Sequence, residues 1–479
     1  MLFNSGSFIV FFVFVYAVYL NLPHRAQNYF LLAASYFFYA CWDWRFLGLI
    51  FISTAMEYAC ALEIDRSQNE SRRKFFLTLS LVLNIILLGF FKYFNFFTQS
   101  LVSLGAFCGW EIPLPALHVI LPVGISFYTF QGMSYTVDVY HRETKPAQKL
   151  LDYALYVSFF PQLLAGPIGR VKFLLAQVLE PRSVTRTGIR EGLYLVGFGF
   201  FKKVFVADNL APIVNHVFAK GGGLSAWEVL LGCYAFSFQI YADFSGYSDI
   251  ARGLSKMMGF ELMLNFNLPY FSTSPRDFWR RWHISLSSWL RDYLYIPLGG
   301  SKKGSRGTYV NLLVTMTLGG LWHGAAWTFV VWGVYHGVLL IFNRIFADIS
   351  ERLCQSRGCR LLSAPVWTAL KIFITFHLIT AGWLLFRARS LAQAGLFFQA
   401  LLAGGKLDWV TFYYFKEFAF FTFFLLMSDG FEYFRKDPYW ILSSKPFLQM
   451  VMAGLLAAFF LVSYTLGLPG GNEFIYFQF

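Results

Sequence analysis

Charge is scarce in this sequence: 14% of its 479 residues are Asp, Glu, Lys or Arg, against about 25% in an ordinary globular domain. A chain so poor in charge cannot cover its own surface with polar groups, so lipid is the solvent for much of it. That disfavours a soluble enzyme, and the same composition disfavours disorder and collagen. The six Cys form no C-x-x-C pair, which speaks against a disulfide scaffold or a zinc site. Cys60, Cys108 and Cys233 lie in or beside apolar runs, and Cys354 and Cys359 flank a basic loop; they read as unreactive thiols, and no metal is expected. There is no G-x-x-x-x-G-K-[ST], H-E-x-x-H, G-x-S-x-G or dinucleotide fingerprint, so ATP-driven transport, zinc proteolysis and serine hydrolysis have no visible apparatus. No Gly/Ser/Pro linker, acidic tail or low-complexity tract divides residues 1–479, and they read as a single domain.

What the chain has in excess is apolar and aromatic: 57% hydrophobic residues, with 58 Phe, 27 Tyr and 14 Trp. The net charge of +13 would suggest nucleic acid in a soluble protein, but the bases fall between apolar runs. Arg66–Lys74, Arg142–Lys149, Arg170–Arg190, Lys302–Arg306 and Arg352–Arg360 are short basic stretches of the kind that stay cytoplasmic and face anionic lipid. The run Phe8–Leu20 has no positive charge before it and no small-residue cleavage site after it, so it reads as a retained first membrane helix rather than a signal peptide. The apolar runs that follow, as far as Phe447–Leu466, predict an all-α polytopic membrane protein with about 11–13 segments, judged against a perpendicular span of about 20 residues. Several runs have only about 14 residues, which suits re-entrant or broken helices sheltered by neighbouring protein.

Residues 271–300, F-S-T-S-P-R-D-F-W-R-R-W-H-I-S-L-S-S-W-L-R-D-Y-L-Y-I-P-L-G-G, are not uniformly apolar. Ser274 before Pro275 reads as a helix cap and first position, and Pro297 with Gly299–Gly300 as a stop. On one helix between them, Asp277 and Arg281 stand four apart, as do Trp279 and His283. Such density of Trp, Tyr and Arg describes an interfacial or partly sunken helix.

A titratable side chain in hydrocarbon is costly unless it has a partner or a task. Of the eight His, His24, His118, His141 and His216 adjoin loops or helix ends, and His377 reads as a satisfied packing residue. His283, His323 and His336 remain. Gly320-Leu-Trp-His-Gly324 and Gly333-Val-Tyr-His-Gly337 are both G-x-x-x-G frames with His before the second Gly, so a neighbouring helix can come close beside an imidazole. Thirteen positions on an unbroken helix amount to about 220° and 20 Å, so His323 and His336 serve one reacting atom only if the helix breaks. Asp243 and Asp249 lie in Q-I-Y-A-D-F-S-G-Y-S-D-I-A-R (239–252). Paired with Arg of the 276–291 helix they are structural; alone they are proton acceptors; the structural role is favoured. A membrane histidine without a nearby nucleophile suits general-base group transfer onto a hydroxyl.

The stretches L-P-V-G-I-S-F-Y-T-F-Q (121–131), F-P-Q-L-L-A-G-P-I (160–168), Y-A-D-F-S-G-Y-S-D-I-A (241–251), residues 278–300 and L-W-H-G-A-A-W (321–327) resemble the membrane-bound O-acyltransferase family. The likeness is to its bacterial branch, typified by the alginate O-acetyltransferase membrane subunit and the teichoic-acid D-alanyl transfer protein. The core signature covers 121–337; the C-terminal helices of 366–479 are less distinctive, although Phe474-Ile-Tyr-Phe-Gln-Phe479 is similar to the ends of alginate-type members. The resemblance implies a multi-helix fold with a central funnel meeting a cytoplasmic tunnel at a buried histidine. It places the family's active W-H-G histidine on His323 and its W-H-x-S histidine on His283. Trp279, Arg280, Trp282, Ser287 and Trp322, with Asp243, would shape the substrate tunnel. It further implies acetyl-CoA as donor substrate with no bound cofactor, an exported polysaccharide as acceptor, a periplasmic esterase-like (SGNH) partner, and the bacterial inner membrane as location. D-alanyl or other acyl transfer to a different envelope polymer is the alternative. A non-catalytic transporter is disfavoured because the intramembrane polar residues crowd into 239–336 with no counterpart in the first half.

Overall fold

A computed structural model describes residues 1–114, 120–357, 364–465 and 474–475; His118, Cys359 and most of the terminal 474–479 motif lie outside the described residues. Every regular element among them is helical. Among the described residues, five helical stretches are long and apolar enough to cross a membrane, His24–Arg66, Glu70–Phe107, Trp327–Phe346, Pro365–Arg387 and Trp409–Arg435. Gly6–Leu20, Leu391–Ala403 and Pro446–Phe459 are apolar but shorter, in keeping with the short runs of the sequence. The protein is a multi-pass membrane protein. Its outward residues show the solvent for which they were selected: Val10 is 72% exposed, Ile52 67% and Phe107 89%, large apolar groups that water would not tolerate in such density.

The chain divides into two compact units, Met1–Val196 with Ile250–Met263, and Gly197–Asp249 with Leu264–Phe479. In the first unit, the helix Ile125–Tyr140 is enclosed almost along its whole length, and Ser126, Thr129, Gln131, Ser134 and Thr136 are buried with its apolar residues. Two bases of the short basic stretches turn inward instead of facing lipid. Arg182 donates to Tyr19 Oη at 3.1 Å, Gln27 Oε1 at 3.1 Å and Asn28 Oδ1 at 2.8 Å, with its guanidinium 4.5 Å from the Phe260 ring centre. Arg73, 6% exposed, donates to the carbonyls of Ile64 and Tyr140. Guanidinium supplies five donors, and helix ends offer carbonyls without intrahelical partners, so these bases tie helix ends together.

In the second unit, the Gly304–His323 and Trp327–Arg357 helices form a tight hairpin. Its closeness depends on the small residues of the two G-x-x-x-G frames. A Cβ on Gly320 would stand 2.2 Å from the Phe329 carbonyl oxygen, and one on Gly333 2.4 Å from that of Met316. The single helix expected across 276–291 is in fact broken. Pro275–Arg281 ends before Trp282, His283 takes φ 42° and ψ 55°, and Ile284–Leu290 starts again before a wide turn at Arg291–Tyr295. The start at Ser274 is as expected: its side chain accepts from Asp277 N at 3.1 Å, and Asp277 Oδ2 accepts from Thr273 N at 3.1 Å, a reciprocal cap.

Candidate active site

The left-handed conformation of His283 costs a residue with a Cβ about 1–2 kcal/mol, so something must hold it. Asn265 does. Its carbonyl accepts from Ile284 N at 2.9 Å. Its Oδ1 accepts from Ser285 N at 3.3 Å and Ser285 Oγ at 2.6 Å, and its Nδ2 donates to Ser248 Oγ at 3.2 Å. One residue thus satisfies the first two N–H groups of the restarted helix, which have no intrahelical acceptor. The kink turns the His283 ring into the core, where it is fully buried, edge-on to Phe244 with ring centres 4.6 Å apart.

His323 is the last residue of its helix, because Gly324 is extended and the chain reverses before Trp327. The imidazole is 4% exposed and is walled by Trp322, Trp332 and Phe386 at 5.0, 5.2 and 5.3 Å between ring centres. Trp322 also touches His283, at 5.7 Å. The two imidazoles stand 6.4 Å apart, centre to centre. Hydrogen bonds of about 2.6–3.2 Å to ring nitrogens let rings at this spacing act on one reacting group. Aromatic walls keep water away from it, which strengthens every polar interaction inside.

The other expected site residues divide. Trp279 packs on Trp332 and His336, and Trp282 on Trp383 at 4.9 Å, so both back the aromatic wall without touching either site histidine's ring. Ser287 Oγ donates to the Trp282 carbonyl at 3.0 Å, bracing the kink. Arg280 is exposed and has no ring or hydrogen-bond contact with the histidines. Arg281 pairs with Asp277 at 2.9 Å. Asp243 and Asp249 are paired, as favoured, and lysines serve them: Lys203 Nζ lies 2.6 Å from Asp243 and 3.0 Å from Asp208, and Lys202 Nζ 2.8 Å from Asp249. These lysines come from the wide helical turn Phe201–Ala207, which sequence periodicity does not reveal. Asp243 Oδ2 also accepts from Ile475 N at 2.6 Å, and Phe474 stacks on Tyr247 at 4.7 Å. Hence the C-terminal residues pack one ring away from His283, through Phe244. His377 is satisfied at both ring nitrogens, by Tyr234 Oη and the Phe373 carbonyl.

Asn265, Trp332, Trp383 and Phe386 are the contributors that sequence reasoning missed. The Trp-Gly pair opening the second G-x-x-x-G frame was the one available signal for Trp332.

The arrangement has relatives. The chain is 43% identical over 415 residues, 85% of its length and 79% of the relative's, to the "Probable alginate O-acetylase AlgI" of Azotobacter vinelandii. A profile of the membrane-bound O-acyltransferase family matches residues 142–377. The chain belongs to the membrane-bound O-acyltransferase family. Two further members are similar. The corresponding Pseudomonas aeruginosa protein is 43% identical over 407 residues, 85% of this chain and 75% of its own. The peptidoglycan O-acetyltransferase of Helicobacter pylori is 37% identical over 426 residues, 82% of this chain and 78% of its own. This protein is therefore an O-acyltransferase. Both kinked-helix His283 and hairpin-end His323 of this family member fall within the matched region.

Proposed function

We propose that this acyltransferase moves an acetyl group from cytoplasmic acetyl-CoA toward hydroxyls of an exported polysaccharide, with His323 as general base. The observation that carries the reading is the meeting of His323 and His283 inside one aromatic enclosure. His323 takes the proton of the acceptor hydroxyl. The oxygen forms a bond to the acyl carbonyl carbon, the carbon–sulfur bond breaks, and the departing thiolate takes up the proton. His283 orients or polarises the donor carbonyl or the acceptor. Trp279, Trp282 and Trp322 bound the path and exclude water. The bacterial inner membrane is the location that suits a cytoplasmic donor and an exported acceptor, and a periplasmic esterase-like protein completes the delivery.

The identity to alginate acetylases supports an alginate-like polymer, and the 37% identity to a peptidoglycan O-acetyltransferase supports glycan strands of the wall as a second acceptor. Purified protein in vesicles, given radiolabelled acetyl-CoA and each acceptor in turn, tests both. Label in covalent ester linkage to one acceptor is the expected result. Label that crosses the vesicle unattached would instead make the protein a transporter.

A further inference from the structure

His336 has no part in that chemistry, yet its burial is complete. It sits on the helix Trp327–Arg357, one turn beyond Trp332, and neither ring nitrogen has a hydrogen-bond partner among the described residues. Its ring is enclosed by others: Trp332 at 4.7 Å and 64°, Trp279 at 5.2 Å and 86°, Tyr335 at 5.4 Å and 83°. Across from it the helix Ala364–Arg387 presents Gly382, where a Cβ would lie 2.8 Å from His336 Nε2. The site is therefore closely fitted to an imidazole, although an apolar side chain would have no polar atom to desolvate there. A buried donor or acceptor without a hydrogen bond costs about 1–3 kcal/mol.

The edge-to-face rings supply the compensation. In that geometry the positive edge of one ring, an N–H included, rests on the negative face of another. The indole of Trp332, which also meets Trp279, Trp383 and Phe386, lies 5.2 Å from His323 at 85°. The reversal at Gly324 makes this possible, since on a continuous helix the two histidines would be about 20 Å apart. Trp332 thus separates two imidazoles, one at the site and one behind it. We propose that His336 is a positioning residue for His323, acting through the indole of Trp332. It confines the indole, and the indole confines the orientation of the His323 ring. The proposal rests on reading His323 as the base, and small misplacements of a catalytic group of about 1 Å cost about 100-fold in rate.

Two readouts test it. In acyl transfer, His336→Phe keeps an aromatic ring and loses the N–H; kcat should fall about 10- to 100-fold with KM for the donor within about twofold. His336→Gln, which restores an N–H, should recover part of the loss. Trp332→Phe should lower kcat similarly, and the double variant should be no slower than the slower single one. Independently of activity, NMR of 13C-labelled histidine follows the His323 ring signal, assigned by its loss in His323→Ala. That signal should move in His336→Phe, because the Trp332 ring stands 5.2 Å from it and contributes to its ring-current shift. If His336→Phe does not fold, the His336 signal in Trp332→Phe makes the same test in reverse. A His323 signal and kcat both unchanged in folded His336→Phe, or losses that multiply in the double variant, would overturn the proposal. A shifted His323 signal in a protein whose wild type transfers no acyl group would sustain the positioning and sink the acyl-transfer role.

Discussion

Asn265 offers a quantitative test of how the kink at His283 is held. Asn265→Ala keeps the backbone bond to Ile284 N but removes three side-chain hydrogen bonds, two with Ser285 and one with Ser248. All three residues are buried, with 0%, 0% and 2% exposure for Asn265, Ser285 and Ser248. Each buried bond contributes about 0.5–1.5 kcal/mol net, so the loss should be about 2–4 kcal/mol. The left-handed His283, about 1–2 kcal/mol above an ordinary helical conformation, then relaxes first and carries its ring away from Trp322. Reversible unfolding in mixed detergent micelles measures the stability, and acyl transfer measures the site. Ser285→Ala shares the 2.6 Å bond, so a double-mutant cycle with Asn265→Ala should show about 1 kcal/mol of coupling. Acyl transfer should fall at least tenfold in Asn265→Ala, about 1.4 kcal/mol of barrier. A variant with wild-type stability and rate, or a strictly additive cycle, would refute the assignment of the clamp.

His323→Ala should insert and fold, with a monodisperse gel-filtration profile, and lose about 10²–10⁴-fold in acyl transfer; normal turnover would end its assignment as the base. Lys203→Met removes the ammonium that faces both Asp208 and Asp243, and taking the cation from between two buried carboxylates should cost about 3–5 kcal/mol in micelle unfolding. Asp243→Asn added to it should restore part of that loss. Gly333→Ala drives a methyl toward the Met316 carbonyl oxygen, 2.4 Å away, and should cost about 1–3 kcal/mol by overpacking, read in the same unfolding assay.

Local features were readable from the residues alone. The cap at Ser274 and the pair Asp277–Arg281 follow from spacings of three and four, because a helix brings such positions together whatever else packs nearby. The G-x-x-x-G frames likewise announced a close helix approach. The kink at His283 was not readable, since a residue with a Cβ seldom adopts positive φ, and here a clamp 18 positions upstream imposes it. The separation of His323 from His336 was reckoned on an unbroken helix, and the reversal at Gly324 removed that premise. The ion partners of Asp243 and Asp249 escaped because Lys202 and Lys203 come from another segment, where the helix widens.

By itself the sequence determined that this chain lives in lipid, that it is helical, and which histidines merit attention. Those properties are sums over composition or short spacings, and neither depends on how distant segments meet. Tertiary structure alone decided that His283 and His323 share one enclosure, with Trp332 and His336 behind them. The physical reason is that the ring orientations depend on two breaks in the helices, and the break at His283 is held by Asn265, which no helical spacing connects to it.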